Sequence, residues 1–211
     1  MAFIVFEGID GSGKSTLIQG LCETLVQQNI PFKTTREPGG TPLAEEIRSL
    51  LLRIEDEVPH PRTELLLYQA SRAQHVENVI RPHLESGDWV LCDRFTSSSL
   101  AFQAGGRKLN EEKIRQLNDY ATDGLSPDLW VLLDLTVEES EKRRQHRTDS
   151  GGLDADRFER ERFEFHQSVR NHYLKQASSE PEKWLVIDAS HPPAQVLAQL
   201  LSTLKEKGWL S

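Results

Sequence analysis

The run Gly8-Ile9-Asp10-Gly11-Ser12-Gly13-Lys14-Ser15 fits G-x-x-x-x-G-K-[ST] without a gap, and it lies between an apolar segment, Phe3–Glu7, and a segment of helical period. No other feature constrains the fold as much. A loop of this kind turns its backbone N–H groups inward around an anion, and a helix starting at Lys14 aims its partial positive charge at the same point. Lys14 neutralises the β/γ phosphates, the Ser15 hydroxyl is suited to Mg²⁺, and Thr16 closes the predicted ATP-binding stretch.

Such a loop needs a strand before it and a helix after it, and the rest of the chain repeats that alternation. Short apolar runs occur at Phe3–Glu7, Phe32–Thr35, Trp89–Asp93, Trp130–Asp134 and Trp184–Asp188, each too short for a helix. Leu17, Ile18, Leu21, Cys22, Leu25 and Val26 form one helical stripe after the first run. Thr41 as N-cap and Pro42 at the first helical position open a second helix. A third is predicted from Thr63 to Ile80, kinked or restarted by Pro82 and stopped at Gly87. Asn110 caps the segment holding Ile114, Leu117 and Tyr120, Thr136 and Glu139 have capping-box spacing, and Val196, Leu200 and Leu204 share a face of the last helix.

Strands alternating with helices of this length imply crossovers between parallel strands. The expected fold is therefore α/β: a three-layer P-loop NTPase sandwich with a five-stranded parallel sheet, helices on both faces, and one domain spanning 1–211. Ligands in such sheets sit at the carboxyl ends of the strands.

Composition narrows the ligand. Twenty-five basic residues against 33 acidic ones give a net charge of −8, so a diffuse grip on nucleic acid or on anionic lipid is disfavoured. Any bound anion must be held locally. The N-terminal apolar run stops at Glu7 and no window approaches the length of a membrane span, so neither export nor anchoring is expected. Cys22 and Cys92 show no C-x-x-C or zinc spacing and are read as buried free thiols of a reducing, cytoplasmic compartment.

The loop alone does not select a reaction, because GTPases, ATPases and small-molecule kinases share it. The guanine-reading N-K-x-D element is absent from the sequence. Asp93 follows four apolar residues at a strand end, a position suited to holding Mg²⁺ together with Ser15, and Arg94 beside it can clamp phosphates. These features point to a kinase whose acceptor binds in the same cleft.

Three stretches carry a more specific resemblance: Phe6 through Thr16, Arg36-Glu37-Pro38-Gly39-Gly40-Thr41, and Asp93-Arg94-Phe95-Thr96-Ser97-Ser98-Ser99-Leu100-Ala101-Phe102-Gln103. The chain resembles the thymidylate kinases nearly end to end. The resemblance implies transfer of the γ-phosphoryl group of ATP to dTMP with Mg²⁺, and a homodimer. It implies that Asp10 serves the deoxyribose 3′-hydroxyl and the metal, where the motif by itself would allow a solvated aspartate. Family members with a loop arginine carry it directly after this acid, where this chain has Gly11.

The missing cation is expected from a lid at about 143–157, whose small polar centre is bracketed by Lys142, Arg143, Arg144, Arg147 and Arg157. This is similar to the bacterial members, and it makes Arg144 and Arg147 catalytic candidates beside Lys14, Arg94 and Asp10, with Arg143 on ATP. Tyr68 and Arg72 lie one helical turn apart. The resemblance assigns Tyr68 to stacking on thymine and Arg72 to bonding it, while core packing of Tyr68 is the competing reading. Ser98, Ser99 and Gln103 add polar contacts, and Phe102 stands where tyrosine is usual, so its bulk but not a phenol would meet the sugar. Pro38 belongs to a turn with a cis peptide beside the thymine methyl, and Arg36 and Arg48 are candidates for the acceptor phosphate. Since a phosphate monoester is largely dianionic at neutral pH, no general base is required, and the seven histidines are read mainly as surface or helix residues. The rival readings are a kinase with another acceptor and a non-enzymatic nucleotide-binding module.

Overall fold

The computed structural model describes residues 1–54, 57–149 and 156–210. Five parallel strands form one sheet: β1 (Phe3–Glu7), β2 (Phe32–Arg36), β3 (Trp89–Asp93), β4 (Leu129–Asp134) and β5 (Trp184–Asp188), in the order β2-β3-β1-β4-β5. β1 is central, pairing Val5 with Cys92 on one side and with Trp130 on the other. The expected strands are all present, with β2 and β4 each one residue longer than their apolar runs.

Alternation along β1 builds both sides of the sheet. Ile4 and Phe6 pack with Leu17, Leu21 and Leu25 of α1 (Lys14–Gln27) and with Val196, Leu200 and Leu204 of α9 (Pro193–Glu206). Phe3 and Val5 face the other way, against Val76, Ile80 and Phe95. That second layer is made by α3 (Pro61–His75), α4 (Arg81–Glu85), α5 (Thr96–Ser99), α6 (Glu111–Thr122) and α8 (Phe163–Ser179), with α2 (Pro42–Leu52) against α3 and α7 (Val137–Asp149) against α8. Helices on both faces are thus as expected.

Two details differ from the sequence reading. The third helix starts earlier, at Pro61 under a His60 cap. A π-helical turn at Val76–Ile80, which the sequence reading did not foresee, joins α3 to α4, where the helix restarts at Pro82 as expected, and the Arg81 N–H reaches Val76 O five residues back. The widened turn gives the proline ring room where a regular helix would clash. Gly87, at φ +86°, ends this run as expected. The serine-rich stretch after β3 forms α5 and a second π-helical segment, Leu100–Gly106, which no apolar period announced.

Among the described residues no helix is long and apolar enough to cross a membrane. Cys92 is buried as expected, whereas Cys22 is only half-buried because it flanks the α1 stripe rather than centring it.

Candidate active site

The glycine-rich loop leaves β1 at Gly8, whose φ of +137° and closeness to Leu133 O, 2.5 Å from where a Cβ would stand, exclude any side chain. Lys14 is buried and folds back over the loop, its Nζ donating to Gly8 O at 3.0 Å and Ile9 O at 3.4 Å. Burial and the nearby Arg94 guanidinium push its pKa down, so its charge is held at a cost that an anion in the loop would relieve. Ser15 and Thr16 are exposed at the start of α1. The cleft lined by Lys14, Ser15, Asp93, Arg94, Arg143 and Arg147 is therefore strongly cationic at the carboxyl end of the sheet. A neighbouring cavity between the loop and Arg143, Ala189 and His191 continues the cleft towards β4 and β5.

Asp93 offers a metal-fitting donor, because its Oδ1 is buried with no hydrogen-bond partner. With the exposed Ser15 hydroxyl this makes a hard-oxygen pair of the kind Mg²⁺ takes from a protein while keeping water and phosphate in its other positions.

Arg94 has a left-handed backbone, φ +71°, which aims its side chain back across the loop. Its Nη2 donates to Asp10 Oδ1 at 2.8 Å and its Nη1 to Tyr173 Oη at 3.1 Å. Burial alone would raise the Asp10 pKa, but Arg94 and Lys14 outweigh it and hold the carboxyl at about 2. A carboxyl whose folded pKa lies below its ordinary 3.8 stabilises the fold above pH 4, and loses that contribution as pH falls towards 2. In urea titrations the stability gap between wild type and Asp10→Asn should therefore narrow by about 2 kcal/mol across that window. A gap independent of pH would contradict the Asp10–Arg94 pairing.

Beneath Arg94 lies Glu7, which the sequence reading did not single out. Its carboxylate accepts from Phe95 N and Ser98 N at 3.1 Å, from Ser98 Oγ at 2.7 Å and from Tyr173 Oη at 2.8 Å. Burial raises its pKa against the pull of Arg94 and these donors. Glu7 thereby ties the end of β1 to α5, and α5 to α8.

The second cavity opens between Pro38, Tyr68, Phe102 and Phe158. The Glu37–Pro38 peptide is cis, as the resemblance implied. Tyr68 is half-buried with its ring on the cavity, tilted against Phe158 at 6.2 Å, so both competing readings hold in part. Ser98, Ser99 and Gln103 line the same cavity. Phe102 meets Phe158 edge-on and stacks under Arg94, whose guanidinium carbon lies 5.0 Å from the ring centroid. The nearby phenol belongs to Tyr173 and is committed to Glu7, Ser98 and Arg94.

Arg72 differs from the expectation of a guanidinium free to read a base. It is 1% exposed, and it donates to Glu37 Oε2 at 2.7 Å, Asn118 Oδ1 at 2.7 Å, Ser99 Oγ at 2.9 Å and Phe95 O at 3.0 Å. At most the second Nη2 hydrogen is left for the cavity.

Among the basic candidates, Arg36, Arg48, Arg143 and Arg147 line the phosphate cleft and Arg144 does not. Arg48 is half-buried and donates to Pro38 O at 3.0 Å. Arg36 and Arg147 are held by Glu45 and Glu159. Arg144 turns to Glu159 O at 2.6 Å because its place on α7 faces α8. A Cβ on Gly11, where the family's loop arginine would follow, would lie 3.2 Å from Ser140 O and in contact with Arg143 Cβ and Arg144 Cγ, so α7 packs closely against this point of the loop.

The centre of the expected lid, 150–155, lies outside the described residues. Its far flank is anchored: Arg157 donates to Leu51 O at 3.1 Å and to the buried Glu64 at 2.8 Å. His75 and His166 are helix residues in keeping with the sequence reading, and both are buried, carried inward on the core faces of α3 and α8.

A family model described as thymidylate kinase matches residues 6–200. Relatives named thymidylate kinase include one from Bdellovibrio bacteriovorus, 54% identical over 207 residues and covering 98% of this chain and 97% of the relative. Another from Geotalea uraniireducens is 46% identical, covering 97% and 98%, and one from Pseudomonas fluorescens is 50% identical, covering 96% and 93%.

Proposed function

The chain belongs to the thymidylate kinase family, and on that premise we propose how its cleft divides the work of one reaction. As a dTMP kinase it transfers the γ-phosphoryl group of ATP to dTMP, giving dTDP and ADP. The observation that carries the assignment is the shared wall: Asp10, Glu37, Arg48 and Arg94 line both the cleft over the glycine-rich loop and the cavity between Pro38 and Phe102. Two phosphorylated nucleotides bound from opposite ends would meet at Arg94.

Gly8 through Thr16 bind the ATP phosphates, with Lys14 on the transferring group and Arg143 at the donor end. Pro38, Tyr68, Phe102, Ser98, Ser99 and Gln103 surround the acceptor base and sugar, and Arg36 and Arg48 face its phosphate. Arg72 acts chiefly by holding the wall of the cavity, through Glu37 and Ser99. Asp93 and Ser15 would hold Mg²⁺, which would supply positive charge against the negative charge that develops during phosphoryl transfer. Arg94 draws the two phosphates together, and Arg147, rather than Arg144, is the lid arginine that supplies charge at the point of transfer. The acceptor dianion needs no proton removed, so the chain's task is positioning, charge stabilisation and exclusion of water.

We further propose one domain over 1–211 with a lid at about 143–157, a homodimer, a cytoplasmic location, and no nucleic-acid or membrane partner. The test is a coupled ADP-release assay with ATP and dTMP. ADP should form only with Mg²⁺ present and only with the phosphorylated acceptor. Equal turnover on thymidine, or turnover indifferent to chelation of Mg²⁺, would contradict the proposal.

A further inference from the structure

Ser71, Arg72 and His75 lie on one face of α3, all buried beneath the loop from Arg36 to Thr41. Ser71 Oγ accepts from Gly39 N at 3.3 Å, and a Cβ on Gly40 would stand 2.6 Å from His75 Cδ2, so this loop rests directly on the imidazole. His75 Nδ1 is 3.0 Å from Glu37 Oε1, and its Nε2 is 2.6 Å from Thr35 Oγ1. An ionised carboxylate only accepts, so Nδ1 donates to Glu37, while Nε2 is held against the Thr35 hydroxyl. The other Glu37 oxygen takes the Arg72 Nε–H at 2.7 Å. A relay thus runs from Thr35 through His75 and Glu37 to Arg72, just under Pro38.

We propose that His75 is a positioning residue for the acceptor: it fixes the Glu37 carboxylate, and through it the Arg72 guanidinium and the Pro38 wall of the base cavity. This rests on the reading of that cavity as the dTMP site. His75 itself bonds to β2 and to Glu37 and lines neither the cleft over the glycine-rich loop nor the Arg143 cavity, so its contact with that cleft runs only through Glu37, on the wall shared with the base cavity. Without the imidazole, Glu37 Oε1 loses a buried donor, and a carboxylate in that position must rotate towards another one. The rotation moves Arg72, whose only charged partner among the described ion pairs is Glu37.

The relay makes two isosteric variants informative. The side-chain amide of asparagine comes to the place of Nδ1 and keeps the bond to Glu37, whereas that of glutamine comes to the place of Nε2 and keeps only the contact with Thr35. His75→Gln should raise the KM for dTMP about tenfold, leaving kcat within about twofold and the KM for ATP unchanged. His75→Asn should bring the KM for dTMP back to within about threefold of wild type, and Thr35→Val, which leaves the imidazole in place, should raise it by about two- to threefold. A merely structural histidine would lower thermal stability in both His75 variants without separating the two KM values. Equal effects of asparagine and glutamine, a parallel rise in the KM for ATP, or an unchanged KM in both His75→Gln and Thr35→Val would overturn the inference. Arg72→Lys separates this failure from failure of the cavity reading. If it raises the KM for dTMP while His75→Gln does not, only the role of His75 falls; if it leaves that KM unchanged, both fall.

Discussion

Lys14→Met lowers kcat by about a thousandfold while the KM for dTMP stays within a few-fold of wild type, because the ammonium acts on charge that develops during transfer. Methionine keeps most of the stem and loses only the charge and its donors. In the structure those donors are spent on Gly8 O and Ile9 O, two carbonyls of the very loop that must turn its N–H groups to phosphate. The ammonium braces the loop, and on the proposed reading it also meets the transferring group. Stopped-time assays at saturating ATP and dTMP measure the effect. A variant retaining a tenth of wild-type turnover would remove Lys14 from the reaction.

Arg94→Ala should be at least as damaging, with kcat/KM for dTMP down by about a thousandfold to ten-thousandfold, since one guanidinium faces both halves of the cleft. It sits 2.8 Å from Asp10 and 3.1 Å from Tyr173 Oη, with Phe102 beneath it. Arg94→Lys keeps the charge without the planar fork and should recover only part of the loss. Turnover that survives in both the Lys14 and Arg94 variants would sink the mechanism altogether. Loss of folding is separable, because a variant that binds ATP with wild-type affinity yet fails in transfer has kept its loop.

The glycine-rich loop was legible because its chemistry is contiguous: strand, glycines, lysine and helix lie within one short stretch, and local geometry does the rest. Asp93 and Arg94 were legible for the same reason, as a strand end beside another strand end. The residues expected around the acceptor base were reached through resemblance; Pro38, Tyr68, Arg72, Ser98, Ser99, Phe102 and Gln103 do line one cavity, with Arg72 bonded to its walls where a free guanidinium was expected. Nothing local to Arg72 shows that Glu37, Ser99 and Asn118 converge on it. Glu7 and Tyr173 are 166 positions apart, and Tyr173 keeps the period of an ordinary core helix, so their bond has no sequence signature. Glu64 was hidden likewise, and Arg157, read as a basic flank of the expected lid, carries no sequence sign of the buried Glu64 that it meets. Helical periodicity says that a face is buried; it does not say which polar partner waits there.

The central claim is that the cavity between Pro38, Tyr68 and Phe102 selects a thymine deoxynucleotide for phosphoryl transfer at Arg94. The most direct measurement is kcat/KM for ADP release with ATP and Mg²⁺ across dTMP, UMP, dCMP and dGMP under one set of conditions. dTMP should exceed each of the others by about a hundredfold or more, with dTDP as the labelled product when γ-labelled ATP is the donor. Another monophosphate turned over as well as dTMP, or label released only as inorganic phosphate, would contradict it.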